Sequence, residues 1–465
     1  MEFNHKKGGM CRRLMPLAFV VGLSACGDNG GSAPAAGGGK SGASSGSAQT
    51  GAGAGRLLDG AVEGVAYVAP GGSGTTDENG AFNFNYGDTV EFKLGGLSLG
   101  KAKGAAIVTP IELADGSEKR LPNLLVLLQS LDADGDPGNG ISIPAAAASA
   151  LDAALDLEGD PSALAASPAL QKARDAAGIA GPARTPEEAS AHFLAQAVGW
   201  FGTHIWIRQD DTATSVIRFS RDGTGEYLAG DATPDDSCDT NRVCGGSLVS
   251  TAGVEYGTLK FTEADTRGFK VAAQLAIDTN RHAGLSHPRP NWRIRSDGED
   301  LIASDIFTVQ REREQKSLFG ELFHIAGTLE ISSEHEEIKT EVKENRYARL
   351  ENDPKGIVGA WASDPAAIKT PLYVFLPSGK YMLIDPVGDV AAAGRESCGG
   401  PGVEFASYTH DAGGALTIRS FTYDTNGCAG FSGKEADAFR LEGDGNTATL
   451  VAKDGTSLTL HRVSR

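Results

Sequence analysis

Apolar and polar positions alternate with a period of two in short runs beyond residue 57, and the runs are separated by Gly, Asp, Asn or Pro. Phe82, Phe84 and Tyr86 alternate with Asn83 and Asn85, and Val90, Phe92 and Leu94 with Glu91 and Lys93. Each set therefore shares one face of a strand. Together with Ala66-Tyr67-Val68 and the Gly turns between them, these runs predict a half-buried antiparallel sandwich over 57–144. From 145 to 197 Ala dominates and apolar residues recur at helical spacing. Thr185-Pro186-Glu187-Glu188 offers a capping hydroxyl followed by a Pro in the first turn. Ser167-Pro168, Gly178 and Gly181-Pro182 break the segment up, so it reads as a short helical connector.

Beyond residue 197 the chain repeats itself. Cys244-Gly245-Gly246 matches Cys398-Gly399-Gly400, Gly253-Val254-Glu255-Tyr256 matches Gly402-Val403-Glu404-Phe405, and Asp278-Thr279-Asn280 matches Asp424-Thr425-Asn426. Ala283-Gly284-Leu285-Ser286 then matches Ala429-Gly430-Phe431-Ser432, and Trp292-Arg293-Ile294 matches Phe439-Arg440-Leu441. Matches that keep their order at a nearly constant offset define two copies of one domain, 198–352 and 353–465. In the second copy, β-like runs near 357–361, 371–376, 379–384, 403–409, 415–423, 437–442, 446–452 and 456–463 predict an up-and-down barrel or a two-sheet sandwich. The expected class is thus mainly β: an N-terminal β-sandwich, a short helical connector and two repeated antiparallel β-barrel or sandwich domains.

Two resemblances bear on these domains. Gly64-Val65-Ala66-Tyr67, the Asp77-Glu78-Asn79-Gly80 turn and Tyr86-Gly87-Asp88-Thr89-Val90 resemble the carboxypeptidase-regulatory-like β-sandwich modules of bacterial surface proteins. Gly359-Ala360-Trp361, at the first strand of the second copy, resembles the G-x-W of lipocalins, for which the first copy offers only Gly199-Trp200.

Composition adds an address. Sixty-two Gly and 20 Pro against 7% aromatic residues favour turns and short strands over helical bundles, and a net charge of −18 argues against nucleic-acid binding by bulk charge. Lys6, Lys7, Arg12 and Arg13 precede the apolar stretch from Leu14 to Leu23, which is too short to span a bilayer and reads as a secretory signal over 1–25. Its end, Leu23-Ser24-Ala25-Cys26, resembles the lipobox of bacterial lipoproteins, which implies cleavage before Cys26 and acylation of that residue. Several acyl chains on one residue anchor stably. Gly27, in place of the Asp that retains many such lipoproteins at the inner membrane, favours the outer membrane by resemblance, on its periplasmic face or at the cell surface. The Gly, Ala and Ser that make up most of 26–56 read as a flexible tether with a span of roughly 30 Å.

Candidate chemistry is sparse. In an exported chain Cys238, Cys244, Cys398 and Cys428 are expected to pair, and of the three connectivities one bridge per copy, Cys238 to Cys244 and Cys398 to Cys428, avoids crossing domains. Asp132, Asp134 and Asp136 have the alternate spacing of a calcium loop, yet Pro137 stands where the sharp-turn Gly belongs and Ile143 where the twelfth-position Glu belongs. A solvated acidic turn is the first reading and calcium the second. Asp278, Asn280, Asp424 and Asn426 are either turn residues or ligand contacts. Glu255 and Glu404, each between Val and an aromatic, either lie inside a barrel or are solvated. No H-E-x-x-H or P-loop occurs, and the one G-x-S-x-G string, Gly42 to Gly46, lies within the Gly, Ala and Ser tether.

The anchor, the tether, the sandwich module and the duplicated domains together resemble adhesin-like surface lipoproteins of Gram-negative bacteria. The resemblance implies a membrane partner through the lipid, an unidentified surface or extracellular ligand, no nucleic acid and no catalysis. Two alternatives stand beside it: a carrier of small apolar ligands in the barrels, or an envelope polymer-modifying enzyme using Glu255 and Glu404.

Overall fold

The computed structural model describes residues 51–151, 155–209, 214–232, 252–280, 292–297, 300–311, 337–388, 399–427 and 430–463. Its first strand, β1 (Ala52–Leu57), begins inside the segment that composition assigns to the tether. It pairs with β5 (Ala81–Asn85) on one side and β8 (Ile107–Val108) on the other. The reason is steric. A Cβ on Gly55 would stand 2.1 Å from the Ala105 carbonyl and 2.5 Å from Phe82 Cζ, and one on Gly53 would stand 2.8 Å from Phe84 Cζ. Missing side chains are therefore what lets β1 lie against the aromatic face of β5.

Between β1 and β8 run β2 (Val62–Glu63), β3 (Ala66–Ala69), β4 (Gly72–Thr75), β6 (Thr89–Leu94) and β7 (Leu97–Lys103), and a second sheet has the order β4-β3-β6-β7. Phe82 of the first sheet meets Tyr67 at 5.8 Å and Phe92 edge-on at 5.0 Å between ring centroids. The expected alternating aromatics thus form the layer between two facing sheets.

Helices begin earlier than the alternation suggests. After the short α1 (Pro110–Leu113), α2 (Arg120–Ser130) occupies a stretch read as part of the sandwich. Its residues from Leu124 to Leu128 are all buried; a helix apolar all round is a core helix with no periodicity to betray it. β9 (Ile141–Ser142) pairs with β2, and α3 (Ala145–Ala150), α4 (Pro161–Ala165), α5 (Pro168–Ala176) and α6 (Pro186–Trp200) follow. Thr185 and Glu188 form the reciprocal capping box of α6. One hydrophobic core runs from the sandwich through these helices into the first copy of the repeat, so the connector is a packed layer.

The first copy is a closed eight-stranded barrel of β10 (Ile205–Gln209), β11 (Thr214–Phe219), β12 (Glu226–Ala232), β13 (Gly253–Asp265), β14 (Gly268–Asp278), β15 (Trp292–Asp297), β16 (Asp300–Arg311) and β17 (Glu337–Arg349). The second comprises β18 (Gly359–Ala362), β19 (Leu372–Phe375), β20 (Lys380–Asp385), β21 (Gly402–His410), β22 (Leu416–Asp424), β23 (Ala436–Glu442), β24 (Thr447–Ala452) and β25 (Ser457–Arg462). All eight lie within two residues of the runs expected from sequence. First and last strands pair in both copies, β10 with β17 and β18 with β25. The second copy is curled but open between β22 and β23, where a lone bridge joins Ala415 and Ala438. Barrel, not sandwich, is the architecture of the repeat.

Register identifies equivalent residues. Trp206 lies opposite Ile217 and Arg349, and Trp361 lies opposite Tyr373 and Arg462, so the partner of Trp361 is Trp206 and not Trp200, the residue suggested by Gly199-Trp200. Each indole donates to a nearby backbone carbonyl, Trp206 to Phe201 at 2.7 Å and Trp361 to Ile357 at 2.9 Å. Phe193 and Trp200 of α6 pack with Phe201 and Phe269 beneath the closed barrel and plug its base.

The two barrels pack wall to wall. Val216, Leu228 and Val254 on the outside of the first meet Val374, Met382, Ile384 and Val403 on the outside of the second in one buried cluster. β12 touches β21 and β13 touches β20, the reciprocal contact of an isologous interface built within one chain. The walls approach closely at Gly230, where a Cβ would stand 2.5 Å from Ile384 Cγ1. Gly230→Ala should cost about 1–3 kcal/mol by overpacking and Ile384→Ala about 2–5 kcal/mol by truncation. The double variant should cost less than the two together; urea unfolding of all four proteins measures the difference.

Glu112 supplies a pH handle on the module. Its carboxylate accepts from the Thr109 N–H and hydroxyl, both at 2.7 Å, while burial pushes its pKa up to about 7. With the folded value above the ordinary 4.5, the stability this group contributes is fully present below about pH 4.5 and is lost as pH rises through about 7. Glu112→Gln keeps the capping box and should flatten that slope in urea midpoints measured across pH 4.5–7.

Candidate functional site at the loop ends of the barrels

Antiparallel order places the connections β10–β11, β12–β13, β14–β15 and β16–β17 at one end of the closed barrel, opposite the aromatic plug. The same end of the second copy carries its long connections, from Ala362 to Leu372, from Asp385 to Gly402 and from Asp424 to Ala436. The residues shared by the two copies gather there.

Glu255 and Glu404 are fully buried and face the barrel interiors, because their neighbours Val254 and Phe405, like Tyr256 and Val403, face the interface between barrels. Each accepts a hydrogen bond from the equivalent tyrosine, Glu255 from Tyr227 and Glu404 from Tyr381, the latter at 3.4 Å. Glu404 also accepts from the backbone N–H groups of Phe431 at 2.9 Å and Ser432 at 2.7 Å. Burial pushes its pKa up, against the downward pull of those N–H groups. Tyr227 and Tyr381 are likewise raised by burial and by the adjacent carboxylate. A carboxylate so enclosed holds a loop in place. Gly430 makes room for it: at φ +94° its Cβ would stand 2.6 Å from Glu404 Cδ.

The Asp-Thr-Asn strings are clamps on the neighbouring strand. Thr279 Oγ1 accepts from Val254 N–H at 2.8 Å, and Thr425 Oγ1 from Val403 N–H at 2.9 Å. Gly253 and Gly402 permit the approach, since a Cβ on either would stand 2.7 Å or less from the following Asn nitrogen. Asp278 and Asp424 are exposed at the strand ends, and Asn280 and Asn426 are fully buried. Asn280 Nδ2 donates to Asp231 at 2.8 Å, and Ser215 donates to the other oxygen of Asp231. The equivalent Asp385 instead accepts from Val387 and Gly388 N–H, both at 2.9 Å. Among the described residues, neither side-chain amide atom of Asn426 has a hydrogen-bond partner.

Tyr227, Tyr381, Asp231 and Asp385 were not singled out by sequence. The signal was present in the identical spacing of Tyr227 to Asp231 and Tyr381 to Asp385, which becomes an alignment only once the register is known.

In the acidic loop, Asp132 Oδ1 accepts from Ser142 N–H, Asp134 from Asp136 N–H and Asn139 Nδ2, and Asp136 from Gly138 N–H. Among the described residues no group of three metal-ligating side chains comes together. Cys26, Cys238, Cys244, Cys398 and Cys428 lie outside the described residues. Among the described residues no helix is long and apolar enough to cross a membrane. No protein-family model, curated protein or solved structure, of an enzyme or otherwise, matches this chain.

Glu404→Gln should destabilise the protein by about 1–3 kcal/mol, because an amide nitrogen cannot accept from the loop N–H groups. Gly430→Ala should cost at least as much, whereas the exposed Asp424→Asn should stay within about 0.5 kcal/mol. Chemical denaturation of the three variants ranks them.

Proposed function

We propose that the chain is a lipid-anchored surface protein of the bacterial outer membrane that binds its target without converting it. The observation that carries this reading is the loop end that recurs in both barrels. Each copy carries long connections at the equivalent end of its own barrel, and there Thr279 and Thr425 clamp the neighbouring strands while Glu404 accepts from a loop backbone. Rigid barrels presenting variable loops are a common basis for recognition. Two copies on one tether add avidity toward a repetitive target.

The carrier reading finds less support. Trp361, Phe375, Tyr381 and Phe439 fill the second barrel, and Phe219, Phe261 and Phe269 fill the base of the first. The enzyme reading would need Glu255 or Glu404 to reach a substrate, and both are fully buried against tyrosines. Exposed Asp278 and Asp424 beside the loops, in a chain of net charge −18, favour a basic or neutral partner.

The test is to incubate the full chain with peptidoglycan and other envelope glycans and measure retention and turnover separately. Retention without product is expected, weakening with salt when the target is basic. Product that accumulates in proportion to protein and disappears in Glu255→Gln/Glu404→Gln would establish the enzyme instead. Cys26→Ala should release the chain from membrane fractions.

A further inference from the structure

The interior of the closed barrel turns polar at its loop end, above the aromatic plug. Trp206, Ile217, Ala229 and Tyr347 belong to the core that the plug continues, so Arg208, Ser215, Asp231 and Asn345, each two residues along the same strands, face inward as well. Register sets them side by side: Arg208 lies opposite Ser215, and Ser215 opposite Asp231. Burial pushes the pKa of the inward Tyr347 up, with Arg208 pulling it down and Asp231 and Glu255 adding to the rise. These ionisable groups therefore share one space.

The acids of this space are held from within the barrel. Ser215 and Asn280 Nδ2 donate to Asp231, the latter at 2.8 Å, and Tyr227 donates to Glu255. Arg208 is held more loosely. Its Nη1 donates to Asn345 Oδ1 at 2.7 Å, while its Nε is buried and, among the described residues, has no hydrogen-bond partner. A buried donor without an acceptor marks a guanidinium that its own surroundings do not satisfy. Arg208 and Asn345 are only half-buried, so the space opens to solvent past them.

The second copy does not keep these residues. By register, Ser363 stands for Arg208, Pro371 for Ser215, Leu458 for Asn345 and Leu460 for Tyr347. Ala229 and Ala303 of the first copy are replaced by Leu383 and Leu450. Leu383, Leu450 and Leu460 are buried inside the second barrel. Leucine thus fills one barrel where alanine and polar side chains line the other. An eight-stranded barrel is just wide enough to be filled by its side chains or to hold one small ligand. The strands themselves ask for neither Arg208 nor Asn345, since the second copy forms the same eight without them.

We propose that the mouth of the closed barrel binds a small zwitterion, its carboxylate on the Arg208 guanidinium and its ammonium group turned toward Asp231 and Glu255. A guanidinium offers its N–H groups in one plane, which matches a carboxylate. The two acids need not touch the ligand. Their charges act across a water-poor interior whatever hydrogen bonds they accept. A bare anion would meet two like charges there and a bare cation would meet Arg208 at the entrance, so a ligand carrying both signs fits best. The site lies inside one barrel and does not rest on the surface binding proposed above.

The test is isothermal titration of the full chain carrying Cys26→Ala, so that no acyl anchor contributes, with alanine and with alanyl-alanine, two zwitterions of different charge separation. One saturable site per chain is expected for at least one of them. N-acetylalanine, which keeps only the carboxylate, and alanine methyl ester, which keeps only the ammonium group, should each bind at least tenfold more weakly. Arg208→Gln should weaken the bound zwitterion at least tenfold, and Ala303→Leu, which installs the side chain of Leu450, should abolish binding by filling the space. The exposed Asp424→Asn in the second copy should leave binding unchanged. Circular dichroism checks that each variant is folded, and where Arg208→Gln or Ala303→Leu is not, the half-buried Asn345→Leu decides by the same loss. No saturable binding of either zwitterion, equal binding of a singly charged analogue, or folded barrel variants that bind unchanged would overturn the site.

Discussion

The packing of one barrel wall against the other governs much of the rest of the molecule. A free barrel shows water an alternation of apolar and polar positions, but where the two walls meet both faces of a strand must be apolar. β11 and the strand pair β20–β21 accordingly lose their alternation at the interface, and Gly230 stands where any larger residue would collide with Ile384. Burial on both faces also fixes the rotation of each barrel about its axis. Arg218, which points outward into this layer, cannot remain solvated and donates to the carbonyls of Pro365 and Ala367 at 2.6 and 3.1 Å. Burial pulls its pKa down to about 10, still far above neutrality, so a full charge is held at the interface by neutral acceptors.

The repeated acids make sense as solutions to a local problem. At the end of a barrel where connections are long, strand edges lose their hydrogen-bonding neighbours, and the exposed N–H groups need partners. The Thr hydroxyls clamp β13 and β21, and Glu404 secures a loop by its backbone. Motif recurrence here reflects the same backbone geometry met twice. The copies diverge where backbone does not dictate the side chain: Asp231 bonds Ser215 and Asn280, whereas its equivalent Asp385 caps a turn.

The copies also differ in closure. β16 and β17 pair over eleven positions in the first copy, whereas β24 and β25 pair over five in the second. The seam at β14–β15 is short even in the closed barrel, with Phe269 opposite Ile294 and Lys270 opposite Arg293. Its counterpart between β22 and β23 has contracted to a single bridge. The weak seam is therefore a property of the repeat, and the long final hairpin belongs to the copy in which the circle is complete.

Period-two patterning and an order-preserving repeat were enough to determine the eight strands of the second copy, the sandwich aromatics and the cap of α6, because each rests on neighbours a few residues apart or on a copy of itself. Three kinds of feature needed the tertiary structure. β1 was hidden because its Gly residues look like a linker until Phe82 and Phe84 are seen to occupy the space where side chains would be. α2 was hidden because a helix surrounded by core has no polar face. The pairing of Glu255 with Tyr227, and the gathering of Arg208, Ser215 and Asp231 inside the closed barrel, join residues from separate strands. Their proximity is set by barrel register, which is not written in any local stretch of the chain.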